Sequence, residues 1–297
     1  MLSILLFLYA SGSIIPDVRS AIAQKNFTLG EQHIQAYRTR QGVTPEMLEA
    51  MSWLGRGALA AKSLDKAEAY AAETRKLSLE ELKKRKLDAE RHLPIALGAS
   101  IEVQAHVMAA RGERDQAVSF LRRELETYRP TSIRTRIQKN IHLLSLEGKL
   151  APALETAQWL GNQPKPLERL KGRPVLLFFW AHWCGDCKNQ APILSKVMTQ
   201  YGPKGLALVG PTQRYGYTAR GQDATPEQET PYIESVRKQH FASLPDMLVP
   251  VSEENFKNYG SSTTPTLVLI DKQGIVRLYN PGNLPYETLA AKIEEVL

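Results

Sequence analysis

Cys184 and Cys187 are the only two cysteines in a chain of 297 residues, and they fall within Trp180-Ala-His-Trp-Cys-Gly-Asp-Cys-Lys188. Before them runs Pro174-Val-Leu-Leu-Phe-Phe-Trp-Ala181, continuously apolar with β-branched and aromatic character, as expected of a strand buried on both faces of a sheet. After them Ala191, Ile193, Leu194, Val197 and Met198 recur at helical spacing between Lys188 and Tyr201. Strand, Cys-x-x-Cys and helix in that order put Cys184 at a helix amino end, where unpaired backbone N–H groups and the helix dipole favour an anion. The thiolate would be that anion, so the Cys184 thiol is expected to titrate below a free cysteine.

Three other uses of the pair compete with reversible disulfide chemistry. A zinc knuckle needs four ligands, and the sequence offers no second Cys pair, with His182 too close to serve without distortion. A structural staple closing so short a loop would remove little chain entropy. Two inert buried thiols would not explain the flanking tryptophans or the strand-to-helix placement. Redox exchange is the reading that uses all of these features.

The segment Trp180–Lys188 resembles the active-site segment of thioredoxin-fold proteins. A second marker lies at Ser262-Thr-Thr264-Pro265-Thr266, followed by an apolar run to Ile270, a Lys-Gln-Gly turn and a further strand from Ile275 to Tyr279. The resemblance implies that Pro265 is cis and faces the cysteines, with the Thr264 backbone free to pair with an extended substrate segment. Within the fold, the chain is similar to redoxins of the TlpA type. The lead-in from Trp159-Leu-Gly161 to Val175 matches that group, and an insertion follows the strand Leu206–Val209. The insertion comprises a loop from Pro211 to Asp223, a helix from Pro226 to His240 and a strand from Met247 to Val251. The likeness spans about residues 157–297.

Departures from the family are informative. The buried acid usual six residues before the first cysteine is Phe178 here, and the glutamate frequent three residues after the second is Gln190. His182, Asp186 and solvent remain as proton carriers, with His182 expected in a solvent-facing loop. Asp186, between the thiols, shares the helix dipole with the thiolate yet repels it, which favours a reductant over a strong oxidant. A peroxiredoxin would need proline and threonine where the sequence has Leu177 and Ala181. The inserted loop carries Arg214, Tyr215, Tyr217 and Arg220 at the carboxyl edge of a strand, the edge on which α/β ligand sites are built. Tyr215 and Tyr217 are therefore expected to contact substrate as a lip, beside Trp183, Thr264 and Pro265.

The N-terminal half reads as alanine-rich helices with short turns. Matching contexts surround Ala67, Ala117 and Ala153, at a spacing similar to degenerate tetratricopeptide repeats, with Lys83-Lys-Arg-Lys86 in an insert. Stacked hairpins of that kind present a concave face suited to a protein partner. Residues 1–150 hold 23 Lys/Arg against 17 Asp/Glu, and residues 151–297 hold 15 against 14, so the net charge of +7 sits mainly on the helices. No basic stripe interleaved with aromatics is present, which argues against nucleic acid. At the N-terminus, Leu2–Ala10 has the length of a signal-peptide apolar region, and Ala21-Ile22-Ala23 has the small-x-small pattern of a cleavage site. No Lys or Arg precedes the stretch, so an uncleaved anchor over residues 1–23 is the variant of this reading.

The expected molecule is an all-α helical-repeat domain over 25–150 followed by an α/β thioredoxin-like three-layer domain over 157–297, periplasmic or secreted, with a cytoplasmic location as the alternative. Cys184 attacks and Cys187 resolves in disulfide exchange with disulfide-bearing protein substrates, resupplied by a protein electron donor. Neither metal nor organic cofactor is called for, and the other reading is a helical scaffold whose redox pair only senses.

Overall fold

The computed structural model describes residues 12–297. The chain divides into two compact units, Met1–Ile133 and Arg134–Leu297.

The first unit is helical throughout its described residues. Its helices are α1 (Ile14–Ala23), α2 (Phe27–Gln41), α3 (Pro45–Ala60), α4 (Leu64–Leu82), α5 (His92–Ala110) and α6 (Arg114–Thr127). Local chemistry sets the ends. Asn26 accepts the N–H of Leu29, and Thr44 accepts that of Met47 ahead of Pro45, so two helices start on capped donors. Ala58, Ala67, Ala71, Val103 and Val107 form a buried seam that lets α3, α4 and α5 approach closely. Helix α5 is long and apolar enough to cross a membrane, but Leu93, Leu97, Ile101 and Val107 are buried as it packs against α3, α4 and α6.

The described residues bear on two sequence expectations. The stretch Leu2–Ala10 lies outside the described residues. The small residues proposed as a cleavage site end α1, whose Ile14, Val18 and Ala21 are buried against α2 and α3. The third segment aligned to the repeats, around Ala153, is not a helical hairpin. It runs extended, with Gly148 N–H donating to Val276, Ala151 N–H to Gly274 and Val276 N–H to Lys149, and Ala153 is exposed.

The second unit begins with α7 (Arg134–Ser145), and it continues with β1 (Trp159–Leu160), β2 (Val175–Phe179), α8 (Gly185–Tyr201), β3 (Ala207–Val209), α9 (Pro226–His240), β4 (Val249–Pro250), α10 (Glu253–Asn258), β5 (Thr266–Ile270), β6 (Val276–Pro281) and α11 (Tyr286–Glu294). Helix α7, which the sequence assigned to the helical domain, packs on α10 and β6 instead. Gly260 makes that approach possible. A Cβ there would lie 2.3 Å from the backbone nitrogen of Lys139, and its φ of +60° suits glycine.

The main sheet has the order β3-β2-β5-β6, with β3 parallel to β2 and the remaining pairs antiparallel. Side chains alternate across it with the period of two that a strand imposes. Leu176, Phe178, Trp180, Leu267 and Leu269 join α8, α9 and α11 in one core, while Val175, Leu177, Phe179, Val268 and Ile270 meet Phe256 and Tyr259 in the other. The result is the three-layer thioredoxin-like fold expected of this half. Within it the predicted strand and helix around the cysteines are β2 and α8, and the inserted helix is α9 with the predicted bounds.

Candidate active site

Where β2 leaves the sheet, Trp180 is fastened to the neighbouring chain. Its backbone N–H donates to Pro211 at 3.1 Å and its indole N–H to Gly210 at 2.9 Å, while Thr212 Oγ1 donates to its carbonyl at 2.9 Å. These bonds fix the turn in which Cys184 N–H returns to Ala181. Cys184 is the N-cap of α8, and its Sγ accepts the backbone N–H of Cys187 at 3.0 Å. The two cysteines are joined by a disulfide with Cα atoms 5.3 Å apart.

Cys184 is expected from sequence to stand exposed at the helix end. In the structure it is 2% exposed and Cys187 fully buried, because both sulfurs belong to the apolar cluster with Trp180, Ala181 and Ala191. Trp183 is the exposed large apolar side chain of the motif, at 51%. Asp186 faces solvent in the first turn of α8.

Thr264–Pro265 is a cis peptide. Because β5 runs antiparallel to β2 with Thr266 opposite Phe179, this dipeptide lies at the sheet end from which the cysteine loop departs. Pro265 is buried and Thr264 half-buried.

The two positions that usually carry acids are filled otherwise. Phe178 is fully buried and meets Phe241 edge-on at 5.7 Å. Gln190 is fully buried, and its amide donates to the carbonyl of Leu284 at 3.1 Å and accepts the N–H of Leu284 at 2.9 Å.

His182 is not solvent-facing. Its side chain is 1% exposed, with Nε2 3.3 Å from Oε1 of Glu229, a carboxylate that is also 1% exposed. Tyr215, Tyr217 and Tyr232 surround the imidazole edge-on, at centroid distances of 5.6, 5.3 and 5.3 Å. Burial holds the His182 pKa below its ordinary value; the Glu229 carboxylate opposes that shift, and Lys188 adds to it. Tyr215 and Tyr217 are therefore half-buried walls around His182. Tyr215 also meets Trp183 at 5.5 Å. The inserted loop is held at several points. Glu229 accepts the backbone N–H groups of Tyr215 at 2.6 Å and Gly216 at 2.8 Å, while Arg214 donates to Thr230 and to Gln158.

Sequence reasoning did not single out Glu229. The available signal was its place on the stripe Glu229-Ile233-Val236, the buried face of α9, where an acid needs partners. Among the described residues, no group of three or more His, Cys, Asp or Glu is placed to hold a metal ion.

Residues 148–279 match the AhpC/TSA family. Over 151 residues the chain is 25% identical to Thioredoxin-like protein YneN of Bacillus subtilis, covering 50% of this chain and 79% of that one. It is 27% identical over 153 residues to Thiol-disulfide oxidoreductase ResA of Bacillus thuringiensis, covering 50% and 78% respectively. Among solved structures, a putative Thiol:disulfide interchange protein DsbE from Chlorobium tepidum matches with 26% identity and a TM-score of 0.40, covering 50% of this chain and 96% of that one. The second unit thus has the thioredoxin-like fold, with a disulfide at the head of α8, and it is similar in sequence to proteins named as thiol-disulfide oxidoreductases.

Proposed function

We propose that the chain exchanges disulfides with protein substrates through the Cys184-Gly-Asp-Cys187 pair, working as a reductant. The observation that carries this reading is the capping bond from Cys187 N–H to Cys184 Sγ at 3.0 Å. A sulfur that already receives a helix-terminal N–H is stabilised as a thiolate once the disulfide opens. In the reduced protein the Cys184 thiolate attacks a substrate disulfide, forming a mixed disulfide and releasing one substrate thiolate, which takes up a proton. Cys187 then loses its proton and attacks Cys184 Sγ. The protein disulfide re-forms, and the second substrate thiol leaves. A protein electron donor must then return two electrons and two protons.

Trp183 and the Thr264–Pro265 segment form the rim that seats the substrate, with Tyr215 and Tyr217 backing it. Asp186 lies between the thiols, and its charge opposes the thiolate, which supports the reducing direction. The helical unit binds a protein partner, and the apolar stretch Leu2–Ala10 directs the chain out of the cytoplasm. The buried face of α1 favours an uncleaved N-terminal anchor over removal of residues 1–23.

Cys187→Ser is expected to trap mixed disulfides with substrate proteins, while Cys184→Ser traps none. Non-reducing gels and the insulin-reduction assay read both variants. Faster alkylation of Cys187 than of Cys184 in the reduced protein would reverse the roles. The measured reduction potential of the pair decides the direction.

A further inference from the structure

We propose that Glu229 is the carboxylate that serves this redox site, acting as a positioning residue through His182, so that the imidazole gains a proton when the Cys184 thiolate forms. The inference rests on the disulfide-exchange reading and supplies the proton partner that Phe178 and Gln190 cannot provide.

Geometry leads to it. His182 is two residues before Cys184, which limits their Cα separation to about 7 Å. Its ring is closed off from solvent, and the group of opposite charge beside it is Glu229 of α9, at 3.3 Å. Glu229 is itself held by the N–H groups of Tyr215 and Gly216, so its position does not depend on His182. The other titratable or charged neighbours are Tyr215 and Tyr217 from the inserted loop, Tyr232 from α9 and Lys188 from α8. Burial keeps the imidazole below its ordinary pKa, hence neutral near pH 7 while the disulfide stands. When the disulfide is reduced, a negative sulfur appears nearby, and that charge together with Glu229 favours imidazolium. The proton released from the Cys184 thiol then has a place inside the site, and it returns when the sulfur next forms a disulfide and the leaving thiolate is protonated. Two protein thiols and one substrate disulfide become one protein disulfide and two substrate thiols, with the imidazole unchanged over the cycle.

The test is a pair of titrations on the full chain. The ring resonances of His182, followed by NMR against pH, should titrate at a higher midpoint in the reduced protein than in the oxidised one. With Cys187→Ser as background, Glu229→Gln should shift the pH profile of Cys184 alkylation upward and slow the reaction several-fold at pH 6, and Glu229→Asp should recover part of the loss. A His182 midpoint that is the same in both redox states overturns the proposal, and this holds even if Glu229→Gln does not fold. An unchanged alkylation profile in folded Glu229→Gln overturns it as well. Insulin reduction by the unsubstituted protein separates the two readings. If insulin is reduced while His182 ignores the redox state, disulfide exchange stands and the role of Glu229 falls. If insulin is not reduced, disulfide exchange falls whatever the titrations show.

Discussion

The amide of Gln190 on α8 forms a closed pair of hydrogen bonds with the backbone of Leu284, donating to its carbonyl at 3.1 Å and accepting its N–H at 2.9 Å. Side chain and peptide group exchange one hydrogen bond in each direction at a position from which solvent is excluded. An ionised glutamate in this place could accept from the N–H but would set a negative oxygen against the carbonyl.

Gln190→Glu is therefore expected to keep its proton in the folded state, with a pKa above that of the unfolded chain. The sign follows from linkage. Relative to the unsubstituted protein, the variant is nearly as stable below the unfolded glutamate pKa, and it loses stability as pH rises through the folded pKa. Near pH 7 the loss should be about 1–3 kcal/mol. Urea unfolding of both proteins across pH 4 to 8 measures it, and a pH-independent difference would mean that the carboxyl group finds another donor.

Tyr215 packs against His182, Trp183 and Phe256 rather than standing free. Tyr215→Ala should then leave a cavity costing about 3 kcal/mol and slow the reduction of insulin and of dithionitrobenzoate alike. Tyr215→Phe, which keeps the ring, should retain most of both rates. Selective loss of the insulin reaction in Tyr215→Ala, with the small disulfide unaffected, would restore the residue to a substrate lip.

His142 on α7 is buried, with Nε2 2.8 Å from the carbonyl of Asn258 and its ring edge-on to Tyr279. Burial lowers its pKa below the ordinary value of about 6.5, with the Asn258 carbonyl opposing the shift. A depressed base binds fewer protons folded than unfolded. Its contribution is thus intact above about pH 6.5 and is lost as pH falls toward the lower folded value. His142→Gln should flatten that part of the stability profile between pH 6.5 and 5, as read by denaturant midpoints. An unaltered slope would assign the acid sensitivity to other groups, His182 first among them.

Sequence by itself determined the parts of this protein that depend on neighbours along the chain. The apolar run of β2 and the helical spacing of α8 placed Cys184 at a helix terminus. The turn and apolar residues after Pro265 gave β5 and β6, and the inserted helix α9 was legible from Pro226 to His240. Each of these follows from a local period or a local cap, which four to eighteen residues suffice to express. Tertiary structure decided the rest. Ala153 shares its sequence context with Ala67 and Ala117, yet its segment pairs with residues more than a hundred positions later and stays extended. Glu229 looks like any acid in the first turn of a helix, as Glu227 is. Only the approach of His182 and of two backbone N–H groups from the inserted loop makes its burial possible, since a carboxylate is taken out of water only where partners from elsewhere in the fold replace the water it loses.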